Sequence, residues 1–220
     1  MGDPSGIGPD ITIQTWMKRK ELTVPNFVYI GSEDVLIKRA KKLGIPINTT
    51  LINSINDVND AFVESIPILN IETKDVEPGI PLNNNYHSII ESINIAVELA
   101  INGEASSICT NPVNKSFLNN NGFEFLGQTE YLSYLCKNIY QPVMMLASNK
   151  LKVIPLTRHI PIKKVSEVIT KKLIIDTVTI AKNDLVKYFN ISNPSIYISG
   201  LNPHSGDKGL IGSEEIKIII

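Results

Sequence analysis

The sequence predicts an α/β layered fold, because short β-rich runs alternate along it with longer stretches of helical periodicity. Its 220 residues, 43% hydrophobic and 20% charged, suffice for one substantial core or two modest ones. No internal repeat, low-complexity tract or clear linker breaks the alternation. The chain therefore reads as a single region, 1–220, with room for two sublobes whose boundary the sequence does not assign.

The elements follow in order. Asn26–Ile30 is a compact β-rich run that ends at Gly31. Ser32 can cap a helix with Glu33 and Asp34 in its first turn, where the helix dipole favours acids. That helix should stop at Leu43–Gly44, with Pro46 just beyond, and Ile47–Ile52 reads as the next strand. Ile89, Ile90, Ile93, Val97 and Leu99–Ile101 mark an amphipathic helix that ends at Asn102–Gly103. Ser106–Cys109 reads as a short buried strand. Val143–Ala147 and Leu151–Leu156 flank Ser148-Asn149-Lys150, a hairpin turn. Thr170 should cap a long helix to about Phe189, and Ser195–Ser199 reads as a final strand.

Both ends read as cut. Gly2-Asp3-Pro4 is a turn that would normally leave a strand, and a helix opened by Ser213-Glu214-Glu215 stops at Ile220 on an apolar face.

The bulk numbers exclude some function classes. A formal net charge of -1 argues against a nucleic-acid surface, since phosphate binding needs an excess of Lys and Arg. No apolar run approaches the ~20 residues of a membrane span, and no signal peptide opens the chain, so it reads as soluble and cytoplasmic. Cys109 and Cys136 form no C-x-x-C pair and are expected to be small buried residues.

Several loops carry residues that can do chemistry. His159, in Leu156-Thr157-Arg158-His159-Ile160-Pro161, and His204, in Gly200-Leu201-Asn202-Pro203-His204-Ser205-Gly206, each follow a predicted strand. Ligands bind outside the carboxyl ends of parallel strands, and neutral imidazole is a common ligand of divalent metals. On spacing alone, a shared cation and two unrelated loop histidines both stay open. His87, at a helix start, reads as structural or exposed.

Gly2-Asp3-Pro4-Ser5-Gly6-Ile7-Gly8-Pro9-Asp10 allows close backbone approach, either to an anion at a helix start or within a tight turn. Lys115, in Thr110-Asn111-Pro112-Val113-Asn114-Lys115, is either a point charge for a phosphate or a surface lysine after a capped helix start. In Gly127-Gln128-Thr129-Glu130, the Gln128 amide and Thr129 hydroxyl can face a polar substrate or serve as an N-cap.

Together these motifs, in this order from Gly2 to the end of the chain, resemble the 4-hydroxythreonine-4-phosphate dehydrogenase family, most distinctively in Gly-Leu-Asn-Pro-His-Ser-Gly-Asp. The resemblance implies an α/β fold similar to the isocitrate and isopropylmalate dehydrogenases, here incomplete at both ends. It implies oxidation of 4-phosphooxy-L-threonine with NAD (or NADP), followed by decarboxylation, on the route to pyridoxal phosphate. It further implies a homodimer whose interface holds a divalent metal (zinc, magnesium or cobalt). His159 and His204 match family metal ligands, and Gln128 and Thr129 match a substrate-contacting pair. A further histidine ligand, several substrate contacts and much of the NAD site are expected in a later segment. The chain alone is accordingly expected to be inactive.

One position departs from the family. Gln128 stands where the family usually has histidine, and glutamine cannot carry a positive charge. That weakens any contact made there by a cation, and it is compatible with a related phosphorylated threonate as substrate. A non-catalytic remnant, an acyl-phosphate transferase or a phosphate-binding module are the rival classes.

Overall fold

The computed structural model describes residues 1–139 and 141–219. Its helices and strands are α1 (Gly8–Met17), β1 (Tyr29–Gly31), α2 (Glu33–Leu43), β2 (Thr49–Leu51), α3 (Val58–Ala61), β3 (Ile66–Asn70), α4 (Tyr86–Ile101), α5 (Lys115–Asn120), α6 (Gln128–Leu135), β4 (Leu146–Ala147), β5 (Lys152–Val153), α7 (Val165–Val168) and α8 (Lys171–Phe189). They fall into two compact units, Met1–Gln141 and Pro142–Ile220. The α/β class is as the sequence predicts. No helix among the described residues is long and apolar enough to cross a membrane.

The first unit holds a parallel sheet of order β1-β3-β2, with Tyr29 opposite Ile68 and Thr49 opposite Ile66. Its central strand, β3, was not expected, because Pro67 lies inside it and proline is rare within a ladder. The register explains the tolerance. Ile66 donates to the Asn48 carbonyl, and the Ile68 carbonyl accepts from Ile52, so both turn their polar groups toward β2. Pro67 therefore turns its nitrogen toward β1, whose ladder starts one position later at Tyr29–Ile68.

Two apolar clusters stabilise this unit. Ile13 and Trp16 of α1, Leu36 and Ala40 of α2, and Tyr29, Phe62, Ile66 and Ile68 form one, with the Trp16 and Phe62 rings edge-to-face at 5.1 Å. The other joins Ile89, Ile93 and Val97 of α4, at helical spacing, to Phe117 and Leu118 of α5, Phe123 and Tyr131. Burial raises the pKa of Tyr131, whose neutral hydroxyl donates to Asn94 Oδ1 at 2.7 Å.

Local signals set the helix ends. Ser32 accepts from the Val35 N–H, and Gly44 adopts the left-handed conformation (φ 68°) that closes α2. Thr170 caps α8 through the Leu173 N–H. In the second unit α8 buries Ile174, Thr177, Ala181 and Leu185 along one stripe, while β4 and β5 pair antiparallel around Ser148.

Several expectations are corrected. Ser106–Cys109 and Ser195–Ser199 form no strand, because neither segment finds a ladder partner among the described residues. Cys109 is exposed and Cys136 half-buried, since Cys109 lies on that unpaired segment. The helix expected from Ser213 is a π-helical turn over Glu215–Ile219, and its expected end at Ile220 lies outside the described residues.

Candidate functional site

In the first unit the glycine-rich loop leads into α1 and is tied down by buried polar groups. Asp3, 7% exposed, accepts from the Ser5 N–H at 2.9 Å and donates its own N–H to the Pro112 carbonyl at 3.1 Å. Arg39, reaching from α2, donates to the Gly6 carbonyl at 3.0 Å, to the Pro4 carbonyl at 3.3 Å, and to the Asp10 carboxylate. Buried charge is tolerable when it is paired and hydrogen-bonded in this way.

The glycines face protein. Gly2 has φ +75°, and a Cβ there would lie 2.7 Å from both the Asn111 Cβ and the Pro112 carbonyl oxygen. A Cβ on Gly8 would lie 2.8 Å from the Met1 carbonyl oxygen and 3.1 Å from the Asn111 Cβ. The close approach that these two glycines permit is to Asn111, the Pro112 carbonyl and the Met1 carbonyl.

Asn111 connects three motifs. Its Nδ2 donates to Thr12 Oγ1 at 3.2 Å, and that hydroxyl donates to the Gly8 carbonyl at 3.0 Å. Its own carbonyl accepts from Gln128 Nε2 at 3.3 Å. This bond sets the amide orientation, because the opposite flip would bring two oxygens together. Gln128 Oε1 is left buried with no partner among the described residues.

Thr129, by contrast, is exposed at the start of α6, whose N-cap Gly127 provides no side-chain bond. A Cβ on Gly127 would lie 3.6 Å from Lys115 Nζ and 3.3 Å from Glu130 Oε2. Those two charges form no ion pair among the described residues, which leaves Lys115 free for an anion. The crevice beside Lys115, Leu118, Phe123, Phe125 and Gln128 has no enclosed space even for a water molecule, so it surrounds no ligand.

Both candidate metal ligands lie in the second unit. Neither follows the end of a parallel strand. The paired strands of this unit are antiparallel, β5 ends at Val153, and Ser195–Ser199 is unpaired. His159 is exposed and holds φ 55°, a left-handed conformation that costs a non-glycine residue about 1–3 kcal/mol. His204 is also exposed. Their rings make no hydrogen bond among the described residues, so the nitrogens are available as ligands. No group of three or more His, Cys, Asp or Glu that could hold a metal occurs among the described residues. Two imidazoles alone are fewer than the three protein ligands that a catalytic zinc site usually has. His87 is exposed, its ring edge-on to Tyr86 at 5.4 Å.

Sequence reasoning missed what holds the His204 loop. Glu215, 3% exposed, accepts through Oε1 from the Leu201 N–H at 3.0 Å, the Asn202 N–H at 3.3 Å and Asn202 Nδ2 at 3.2 Å. Asn202 Oδ1 in turn accepts from the His204 N–H at 2.9 Å and the Gly206 N–H at 3.4 Å. The Asn-Pro-x-Ser-Gly pattern carries a signal for the Asn202 turn, but nothing local marks Glu215 as its anchor.

The model of a family described as "Pyridoxal phosphate biosynthetic protein PdxA" matches residues 23–220. The 4-hydroxythreonine-4-phosphate dehydrogenase of Bradyrhizobium diazoefficiens is 39% identical over 230 residues, covering 100% of this chain and 67% of that protein. The enzyme of that name from Methylorubrum extorquens is 36% identical, covering 100% and 64%. A crystal structure of a 4-hydroxythreonine-4-phosphate dehydrogenase from Burkholderia phymatum superposes with a TM-score of 0.87 at 29% identity, over 100% of this chain and 67% of that one. The chain thus spans about two thirds of the length of the relatives it matches. It belongs to the PdxA family of pyridoxal phosphate biosynthetic proteins.

Proposed function

We propose that this chain carries the larger part of a cytoplasmic, homodimeric dehydrogenase, with its two units as sublobes of an isocitrate dehydrogenase-like layered fold. Its reaction is the NAD- or NADP-dependent oxidation of 4-phosphooxy-L-threonine to 2-amino-3-oxo-4-phosphooxybutanoate. That product loses carbon dioxide to give 3-amino-2-oxopropyl phosphate. The observation that carries this reading is the convergence of the loops at Gly8, Asn111 and Gln128 through one chain of hydrogen bonds, with an unpaired Lys115 beside Gly127.

The residues divide the work. Lys115 offers a point charge to the substrate phosphate. Thr129, exposed at the start of α6, orients the substrate through its hydroxyl, and positioning of this kind supplies several kcal/mol of a barrier. Gln128 donates one Nε2 N–H to the Asn111 carbonyl, and its Oε1 acceptor has no partner among the described residues. His159 and His204 would hold a divalent cation such as zinc, magnesium or cobalt, which supplies Lewis acidity toward the substrate hydroxyl when bound, while NAD accepts the hydride.

The test measures NADH formation and bound metal in the same samples of the whole protein of which this chain is proposed to be the larger part. His204→Ala is expected to lose both, and stoichiometric metal retained by that variant would sink the assignment. Gln128 supports a second reading, a phosphorylated threonate as substrate, because the residue left there cannot be a cation. A higher kcat/KM for the threonate would establish it, and metal binding without NADH from either substrate would favour an inactive relative.

A further inference from the structure

We propose that Glu215, acting through Asn202, is a positioning residue that sets the direction in which His204 presents its imidazole. The inference rests on the reading of His204 as a metal ligand. Glu215 lies eleven positions beyond His204 and makes no hydrogen bond to its ring or backbone among the described residues. Its control is exerted one step away.

Three N–H donors converge on Glu215 Oε1, two from the backbone at Leu201 and Asn202 and one from the Asn202 side chain. That leaves the Asn202 amide no freedom to rotate. Its Nδ2 is committed to the carboxylate, so Oδ1 must point the other way, and there it accepts the His204 N–H at 2.9 Å. The same oxygen takes the Gly206 N–H, and the Asn202 carbonyl takes the Ser205 N–H at 3.0 Å, so the backbone from His204 to Gly206 is tied to one residue.

Sterics leave the loop little alternative. Ser205 sits at φ 50° and Gly206 at φ 77°. A Cβ on Gly206 would fall 2.7 Å from Glu215 Oε2, and one on Gly200 would fall 2.5 Å from Ser205 Oγ. The carboxylate therefore fills the inside of the turn as well as accepting its donors. Partners that orient a metal ligand without touching the metal typically change metal affinity 10–100-fold when removed.

The experiment titrates Co²⁺ into the purified protein by calorimetry, with the visible absorption of bound Co²⁺ and the far-UV circular dichroism recorded on each variant. Asn202→Asp keeps an acceptor for the His204 N–H, removes the donor to Glu215 and sets two carboxylates together. It should weaken Co²⁺ binding about 10–100-fold with secondary structure intact. Adding Glu215→Gln to that variant removes the like-charge contact and should restore much of the affinity.

Wild-type affinity in Asn202→Asp, alongside lost binding in His204→Ala, would overturn the positioning role and leave the ligand assignment standing. Undiminished binding in His204→Ala would remove the ligand assignment itself. Should Asn202→Asp fail to fold, Glu215→Gln alone decides. It retains the shape and an acceptor oxygen, so weaker binding with an altered Co²⁺ spectrum supports the role, and unchanged binding refutes it.

Discussion

In Met1–Gln141 the motif loops are seated by packing as well as by hydrogen bonds, whereas in Pro142–Ile220 the loop that carries His204 is seated by hydrogen bonds to a carboxylate. The glycine-rich loop feeds α1, whose Ile13 and Trp16 sit in the first apolar cluster, and the 110–115 loop feeds α5, whose Phe117 and Leu118 sit in the second. Glycine hydrogens at positions 2 and 8 leave room for Asn111 to close the gap. The second unit buries one stripe of α8 and exposes apolar side chains elsewhere, with Tyr197 92% and Ile162 91% exposed. The loops of the first unit thus combine volume with donor and acceptor matching, whereas the His204 loop rests chiefly on the matching. The former should respond to changes of size as well as of charge, the latter mainly to changes of charge.

The sharpest way to break this contrast is to remove volume from both. Ile68 is wholly buried at the centre of the sheet, and Ile68→Ala should destabilise by about 3–4 kcal/mol, within the range for large-to-small core changes. Ile174→Ala on α8 should cost about 2 kcal/mol, because a stripe beside exposed surface can relax into the space. Chemical denaturation of both variants checks the ordering. Equal losses would mean the second unit is as tightly packed as the first.

Legibility followed the same division. Ser32, Gly44, Asn102–Gly103, Thr170 and the Ser148 turn were readable because a cap or turn is decided by a few adjacent residues. Four strands were legible too, since Asn26–Ile30, Ile47–Ile52, Val143–Ala147 and Leu151–Leu156 overlap β1, β2, β4 and β5, but a ladder also needs a partner that no local pattern names. The runs at 106–109 and 195–199 have strand composition and no partner, while Ile66–Asn70 has partners on both sides and a proline that disguised it. At the site, Gln128, Thr129, His159 and His204 stood out because of their motifs. The bond from Gln128 to Asn111 spans 17 positions and that from Leu201 to Glu215 spans 14, separations at which sequence spacing carries no information.

A smaller effect tests how dry the first cluster is. Tyr29 is 4% exposed and its hydroxyl has no partner among the described residues. Burial pushes its pKa well above the ordinary tyrosine value, and the nearby Arg39 only partly opposes this. The folded state thus holds the phenolic proton more tightly than the unfolded chain. The associated stability is intact below pH ~10 and is lost as pH rises beyond it, at up to about 1.4 kcal/mol per unit. Tyr29→Phe removes the titrating group, so the variant should gain about 2 kcal/mol on the wild type between pH 10 and 11.5. Parallel stability curves in that range would mean water reaches the hydroxyl.

The smallest expected effect compares two helix caps. Ser32 caps α2 from a buried position through a bond of 3.4 Å, and Thr170 caps α8 from an exposed one through a bond of 3.1 Å. Thr170→Ala leaves the Leu173 N–H to water, which costs about 1 kcal/mol. Because Lys171 and Lys172 are exposed, the damage should stay within the first turn, while Ile174 and the residues behind it remain anchored by their stripe. Hydrogen exchange should speed up at the Leu173 amide and hardly change at Ala181. Ser32→Ala has no such escape, since water does not reach the freed Val35 N–H, and it should cost more than its longer bond suggests. A larger loss at Thr170 than at Ser32 would show that bond length, and not access to water, governs what a cap is worth in this protein.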